Sequence, residues 1–123
     1  MSEVEKEPTA VQLLERMVQG VFNEPDVTRR TAMIAEVFTD DVVFTDPEMT
    51  VTGRTELTAA VTTLLARAPG LVFSPTGPFR GVGSLGLRPW ELGQPGAEPV
   101  LRGLDVIQVA DGRIARLWTM LDA

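Results

Sequence analysis

Two aspartates stand where carboxylate chemistry could take place, and Asp46 is the first of them. It ends the β-branched and aromatic run of FTDDVVFTDPEMTVTG, residues 38–53, and directly precedes Pro47. An Asp-Pro pair is typical of a turn that ends a strand, because the aspartate side chain accepts hydrogen bonds from nearby backbone. A general base held at the mouth of an apolar pocket would also place a carboxylate there. This stretch alone favours the turn and leaves both interpretations open.

The second candidate, Asp105, lies within the strand-like segment LDVIQVA. The period of two along a strand places it on one face with mostly apolar neighbours, namely Leu101, Gly103, Ile107 and Val109. A carboxyl group on such a face should be neutral, with a raised pKa, or hydrogen-bonded. The alternative is that Asp105 faces outward or pairs with Arg102 or Arg80.

The residue types that the chain lacks limit the reactions and metal sites that it can support. The 123-residue chain contains no cysteine and no histidine. Disulfides, structural zinc and mechanisms built on Ser-His-Asp or Cys-His pairs are therefore excluded, because each needs a thiolate or an imidazole. Carboxylates must carry any acid–base chemistry, and we expect neither a metal nor a cofactor.

Charge and hydropathy exclude further classes of protein. The formal net charge is −6 and the 11 basic residues are scattered, which argues against a nucleic-acid partner. No apolar run approaches the roughly 20 residues of a membrane-spanning helix. The charged opening MSEVEKEP predicts a disordered leader over residues 1–8 of a cytoplasmic protein. Residues 9–123 are short enough to form one domain.

Helical periodicity dominates the first half of the chain. Apolar residues at helical spacing predict helices near 10–23, 27–38 and 55–68. Thr9 and Gln12 have the spacing of a capping box at the start of the first helix.

After residue 70 the pattern changes to short apolar runs separated by glycine and proline, and ADGR is a clear hairpin signal. Helices followed by strands predict an α+β fold, with the helices packed on one face of an antiparallel sheet.

In this order and spacing, the motifs DDVVFTDP, TGPFR, RPWELG and GLDVIQVADGRI resemble those of a known superfamily. It comprises proteins like nuclear transport factor two, ketosteroid isomerases and SnoaL-type polyketide cyclases. The resemblance covers about residues 9–122. It implies a cone-shaped α+β barrel, in which a strongly bent, mixed or antiparallel sheet wraps a pocket closed by three helices.

The resemblance also implies roles for particular residues. Asp46 matches the proton-shuttling base of ketosteroid isomerases, and Asp105 matches the protonated acid that donates a hydrogen bond to the developing oxyanion. The tyrosine that completes this oxyanion hole falls near Val18, and the chain has no tyrosine. A third donor would have to come from the ligand, from water, or from Thr45 or Thr119.

By the same resemblance, a hydrophobic ligand pocket would be lined by Val18, Phe22, Phe44, Leu64, Ile107, Leu117, Thr119 and Leu121. Trp118 and Met120 alternate to the opposite face, where relatives form homodimers, and a homodimer is therefore expected. Trp90 and Trp118 are more typical of core or interface than of a ligand site.

Two functions follow as hypotheses. The first is a cofactor-free isomerase or cyclase acting beside a carbonyl of a hydrophobic, polycyclic or polyketide-like ligand, and the second is a non-catalytic ligand-binding or assembly module. The two aspartates favour the first, and the missing tyrosine favours the second.

Overall fold

The computed structural model describes residues 7–122, which form three α-helices and seven β-strands. The helices are α1 (Ala10–Met17), α2 (Val27–Val37) and α3 (Arg54–Ala66). The strands are β1 (Phe38–Thr45), β2 (Thr50–Thr52), β3 (Val72–Pro75), β4 (Arg80–Val82), β5 (Leu85–Gly93), β6 (Leu101–Ala110) and β7 (Arg113–Leu121). The predicted α+β class is confirmed. Most of the expected leader, residues 1–6, lies outside the described residues.

The first predicted helix consists of two parts. The capping box is present, because the Thr9 hydroxyl accepts a hydrogen bond from the Gln12 N–H (3.2 Å) and the Gln12 side chain accepts one from the Thr9 N–H (2.9 Å). After Met17 the chain widens into a π-helical turn, Val18–Phe22. Such turns are frequent at functional sites, and this one contributes Val18 and Phe22 to the cavity described below.

Helix α2 leads into β1 without a connecting segment. The Asp26 side chain caps α2 by accepting a hydrogen bond from the Arg29 N–H (2.9 Å), and the helix ends at Val37. Phe38 is already extended and fully buried. Its carbonyl accepts two hydrogen bonds from the Arg54 guanidinium, at 3.1 and 2.6 Å, so the start of α3 holds the start of β1 in place.

The sheet is mixed, which is one of the two arrangements that the resemblance implied, and not antiparallel throughout, as the order of helices and strands alone predicted. Its strand order is β2-β1-β7-β6-β5-β3, with β4 paired to β5. Every pairing is antiparallel except that between β1 and β7, which run parallel. The sheet is also open, with β2 and β3 at the ends of the described order, and is not closed into a barrel.

The hydrophobic core lies between the helices and one face of this sheet. Its fully buried side chains come from both layers and include Leu13, Met17, Ile34, Leu57, Phe44, Ile107, Ile114 and Leu117. Register shifts between Phe38 and Val43 and between Gln108 and Val109 interrupt the ladders of β1 and β6, and such bulges bend the strands that contain them. Within residues 7–122, no helix is both long enough and apolar enough to cross a membrane.

Candidate active site

A cavity of about 370 Å³ lies between the helices and the inner face of the sheet. Both candidate acids, Asp46 and Asp105, are among its lining residues. Six of the eight residues expected in the pocket also line it, namely Val18, Phe22, Phe44, Leu64, Thr119 and Leu121. Ile107 and Leu117 do not; both are fully buried in the core, because they lie further along the strands where the helices cover the sheet.

Asp105 points inward from β6, with only 8% of its surface exposed. Its Oδ1 accepts hydrogen bonds from the Thr119 hydroxyl (2.8 Å) and from the Trp90 indole N–H (3.1 Å). No ion pair to Asp105 occurs within residues 7–122, so the proposed pairing with Arg102 or Arg80 is not seen. Arg102 instead lies 3.8 Å from Glu91.

Burial controls the protonation of Asp105. Loss of hydration raises the pKa of Asp105 from 3.8 to about 6, and the hydrogen bonds from Thr119 and Trp90 oppose this rise only in part. Both donors bind the same oxygen, Oδ1. In the neutral acid, the proton therefore belongs on Oδ2, which leaves one O–H group able to donate a hydrogen bond to a ligand.

The Trp90 indole can reach Asp105 because the residue beneath the ring is a glycine. Trp90 lies opposite Gly103 in the β5–β6 ladder, two residues from Asp105. A Cβ atom at position 103 would collide with the Trp90 ring and with the backbone carbonyl of Met120. The absence of a side chain at Gly103 thus lets the ring lie across β6, with its N–H directed at the carboxyl group.

Asp46 forms the turn expected of an Asp-Pro pair and also lines the cavity. Its Oδ1 accepts hydrogen bonds from the N–H groups of Glu48 (2.8 Å) and Met49 (2.9 Å), which forms the turn between β1 and β2. The residue is half-buried and lines the cavity. Within the described chain, Oδ2 takes part in no hydrogen bond, so one carboxylate oxygen is left for chemistry.

Neither of the two threonines named from sequence supplies a third donor. Val18, near which the resemblance places the missing tyrosine, lines the cavity and brings no polar group. The Thr119 hydroxyl is already directed at Asp105. Thr45 lies outside this cavity, with its hydroxyl 3.1 Å from that of Thr50.

Several lining residues were not predicted from the sequence, among them Trp90, Glu48 and Arg67. Trp90 was expected in core or interface, and its N–H instead binds Asp105. At the rim, the exposed side chains of Glu48 and Arg67 approach to 3.8 Å. The alternation of β5 could have placed Trp90 inward, whereas the approach of Glu48 to Arg67 joins a turn and the end of α3 that are far apart in sequence.

The model of the SnoaL-like domain family matches residues 14–117. No curated protein matches the chain significantly.

Solved structures of similar fold include three bacterial proteins. A proposed isomerase of the SnoaL-like family from Agrobacterium tumefaciens is 24% identical, with 92% of this chain and 97% of that chain covered and a TM-score of 0.85. A proposed SnoaL-like polyketide cyclase from Jannaschia is 16% identical, with coverages of 99% and 91% and a TM-score of 0.77.

The third, a proposed ketosteroid isomerase from Kribbella flavida, is 19% identical, with coverages of 90% and 76% and a TM-score of 0.68. At these identities the likeness concerns the fold alone. The match of the family model over residues 14–117 shows that the chain belongs to the SnoaL-like domain family.

Proposed function

We propose that this protein is a cofactor-free acid–base enzyme that acts beside the carbonyl group of a hydrophobic ligand. The observation that carries the proposal is that Asp46 and Asp105 line one cavity while their environments differ. Asp105 is buried and its pKa is raised to about 6. Asp46 is half-buried, with a turn around one of its oxygens. Pairs of acids in such different environments typically divide the roles of acid and base.

The reaction would begin with proton abstraction. Oδ2 of Asp46 takes the proton from the carbon next to the carbonyl group, the C–H bond breaks, and its electron pair forms an enolate. Asp105 in its neutral form donates a hydrogen bond to the enolate oxygen, where negative charge develops. Return of the proton from Asp46 to another carbon gives isomerisation. In ring closure, the enolate carbon attacks a second carbonyl, the π bond of that carbonyl breaks, and the resulting alkoxide takes the proton back from Asp46.

The missing tyrosine makes this site weaker than a complete oxyanion hole. Loss of one such donor costs about 2.7–4 kcal/mol of transition-state stabilisation. The proposal therefore concerns proton abstraction from a hydrophobic ketone in general and not steroid isomerisation in particular.

Exchange of carbon-bound hydrogen tests the proposal without knowledge of the natural substrate. The probe is 2-tetralone, a bicyclic ketone with acidic protons beside its carbonyl group, and its exchange in D₂O is followed by proton NMR. We expect the protein to accelerate exchange, and Asp46→Asn to reduce the acceleration by about 10²–10⁴-fold. Asp41→Asn is the matched control, because Asp41 is exposed on the same strand and outside the cavity.

Exchange at the uncatalysed rate, or equal acceleration by the wild type and Asp46→Asn, would contradict the proposal. The second candidate function, a binding module, is favoured by the turn hydrogen bonds of Asp46 and by the missing third donor. It predicts that 2-tetralone binds in the cavity with no acceleration of exchange.

A further inference from the structure

A second cavity of about 220 Å³ adjoins the first one. It lies between α1 and the strands β3 and β5, and it shares Val18, Trp90 and Asp105 with the wall of the larger cavity. Its remaining walls are more polar and include Glu15, Gln19, Ser74 and Arg88. The proposed reaction uses none of these four residues.

Arg88 is the unusual residue of the second cavity. It lies directly opposite Asp105 in the β5–β6 ladder, and its side chain is 16% exposed. Within residues 7–122 its guanidinium takes part in no hydrogen bond, and its buried Nε has no partner. The nearest acid is Glu15, with 3.7 Å between Nη2 and Oε1, which is too long for a hydrogen bond.

The other inward-facing arginines are held differently. Arg30 also has a buried Nε without a partner, but its two terminal nitrogens donate hydrogen bonds to the carbonyls of Glu24 and Pro25 and to the Thr62 hydroxyl, at 2.8, 3.3 and 3.1 Å. Arg54 donates two hydrogen bonds to the Phe38 carbonyl. Burial of a guanidinium without hydrogen-bond acceptors is costly, and the 3.7 Å ion pair of Arg88 to the exposed Glu15 side chain compensates for it only weakly. The guanidinium of Arg88 therefore has N–H donors without acceptors, and it lines the second cavity.

We propose that the second cavity binds a monocarboxylate through the guanidinium of Arg88. The planar guanidinium matches a carboxylate with two parallel hydrogen bonds, and Gln19 and Ser74 bring further polar groups to the same space. Glu15 and Asp105 in the same walls disfavour a dianion such as phosphate. This site takes no part in proton abstraction by Asp46. Failure of either proposal therefore leaves the other intact.

The carboxylate has two possible sources. It can be a free short acid, or it can be an acidic arm of a larger ligand whose apolar body occupies the first cavity, since the two cavities share a wall. The probes are therefore benzoate and 2-naphthylacetate, each paired with its neutral amide. Binding of both acids indicates a free acid, and binding of 2-naphthylacetate alone indicates an acidic arm.

The readout is the Nε–H signal of Arg88 in ¹H–¹⁵N NMR spectra of the 123-residue chain. We expect this signal to shift on addition of the acids and not of the amides. Arg88→Gln should weaken binding of the acids about tenfold or more, because hydrogen bonds to a charged group are lost. Arg88→Lys keeps the positive charge but loses the two parallel N–H donors of the guanidinium. It should weaken binding of the acids less than Arg88→Gln does.

Two further variants separate ligand binding from a structural role. Glu15→Gln removes the acid that competes for Arg88 and should tighten binding of the acids. Arg80→Gln is the matched control, because Arg80 is exposed on β4 and outside both cavities, and it should change nothing. If Arg88→Gln does not fold, Arg88→Lys and Glu15→Gln carry the test.

The proposal is overturned if neither acid shifts the Arg88 signal at millimolar concentration. It is equally overturned if the amides bind as well as the acids, or if Arg88→Gln binds the acids as tightly as the wild type does. Inorganic phosphate binding as tightly as benzoate would refute the assignment to a monocarboxylate. A Glu15→Gln variant that is destabilised and binds no better would make Arg88 a structural partner of Glu15.

Discussion

At the scale of single residues, Asp105 and Asp46 carry the same chemical group, a carboxyl, but their surroundings give the two side chains different properties. Asp105 has lost its water, and two hydrogen bonds to Oδ1 do not fully compensate, so its pKa rises to about 6. Asp46 lies half-exposed, and two backbone N–H groups donate to one of its oxygens. The proposed division into a hydrogen-bond donor and a base therefore depends on the environments of the two side chains and not on their identity.

The raised pKa makes stability depend on pH in a predictable direction. Since the pKa of Asp105 is 3.8 when unfolded and about 6 when folded, the folded chain binds this proton more tightly. Its stabilising contribution is complete below about pH 4 and is lost as pH rises through about 6. Relative to Asp105→Asn, the wild type should lose about 3 kcal/mol of unfolding free energy across this range.

Urea unfolding of both proteins between pH 4 and 8 measures this difference. Asp41→Asn serves as the control, since Asp41 is exposed on β1, and should show no comparable change relative to the wild type. A constant difference between the wild type and Asp105→Asn over the whole range would show that Asp105 titrates alike in both states.

The site could be predicted from sequence only where a local pattern determines it. Strand alternation grouped Asp105 with mostly apolar residues, the family resemblance favoured the pocket over an outward position, and the Asp-Pro pair predicted the turn at Asp46. The bond from Trp90 to Asp105 could not be predicted, because it depends on the register that sets Trp90 opposite Gly103. No local signal in the sequence fixes that register.

At the scale of elements, strands β5 and β6 together position Asp105. Trp90 on β5 crosses Gly103 on β6 to reach Asp105, so the position of the indole depends on a missing side chain. The donor from β7, Thr119, lies directly opposite Asp105 in the next ladder. Three neighbouring strands therefore hold one carboxyl group.

Gly103→Ala tests this dependence. The added methyl group meets the Trp90 ring and the Met120 carbonyl, and overpacking of this kind typically costs about 1–3 kcal/mol. We expect lower stability in urea and loss of the indole hydrogen bond to Asp105, seen as a shift of the Trp90 N–H signal in NMR spectra. An unchanged Trp90 signal in a variant of wild-type stability would show that the indole does not need the space above Gly103.

The elements themselves follow from sequence to different degrees. Helical periodicity and the capping box located all three helices, because both signals are local. The parallel pairing of β1 with β7 joins two strands that are far apart in the sequence, and no turn residue indicates it. The hairpin of β6 and β7, in contrast, has the Asp-Gly signal at its turn, with Asp111 and Gly112 at positive φ.

At the scale of the whole molecule, the outer face of the sheet predicts a homodimer. Trp118 is only partly buried, and Met120 is 47% exposed. Together with Val106 they line a shallow depression on this face. A contiguous apolar surface is typical of an interface, and a two-fold dimer would cover the same surface on both copies.

Sedimentation equilibrium at micromolar concentration measures the state of assembly. We expect a dimer, and Met120→Asp should shift it toward monomer, because a charge would be buried at the interface. A wild-type monomer under these conditions would refute the assignment of this face to self-association.

One measurement tests most directly the central claim that two acids of different character face one ligand. Carboxyl ¹³C signals of the aspartates are followed against pH, first alone and then with 2-tetralone. We predict that Asp105 titrates near 6, in line with its burial, and that the ketone shifts the signals of both Asp105 and Asp46 while leaving exposed Asp41 unchanged. An Asp105 that titrates near the ordinary value of about 3.9, or a ketone that leaves Asp46 unaffected, would contradict the claim.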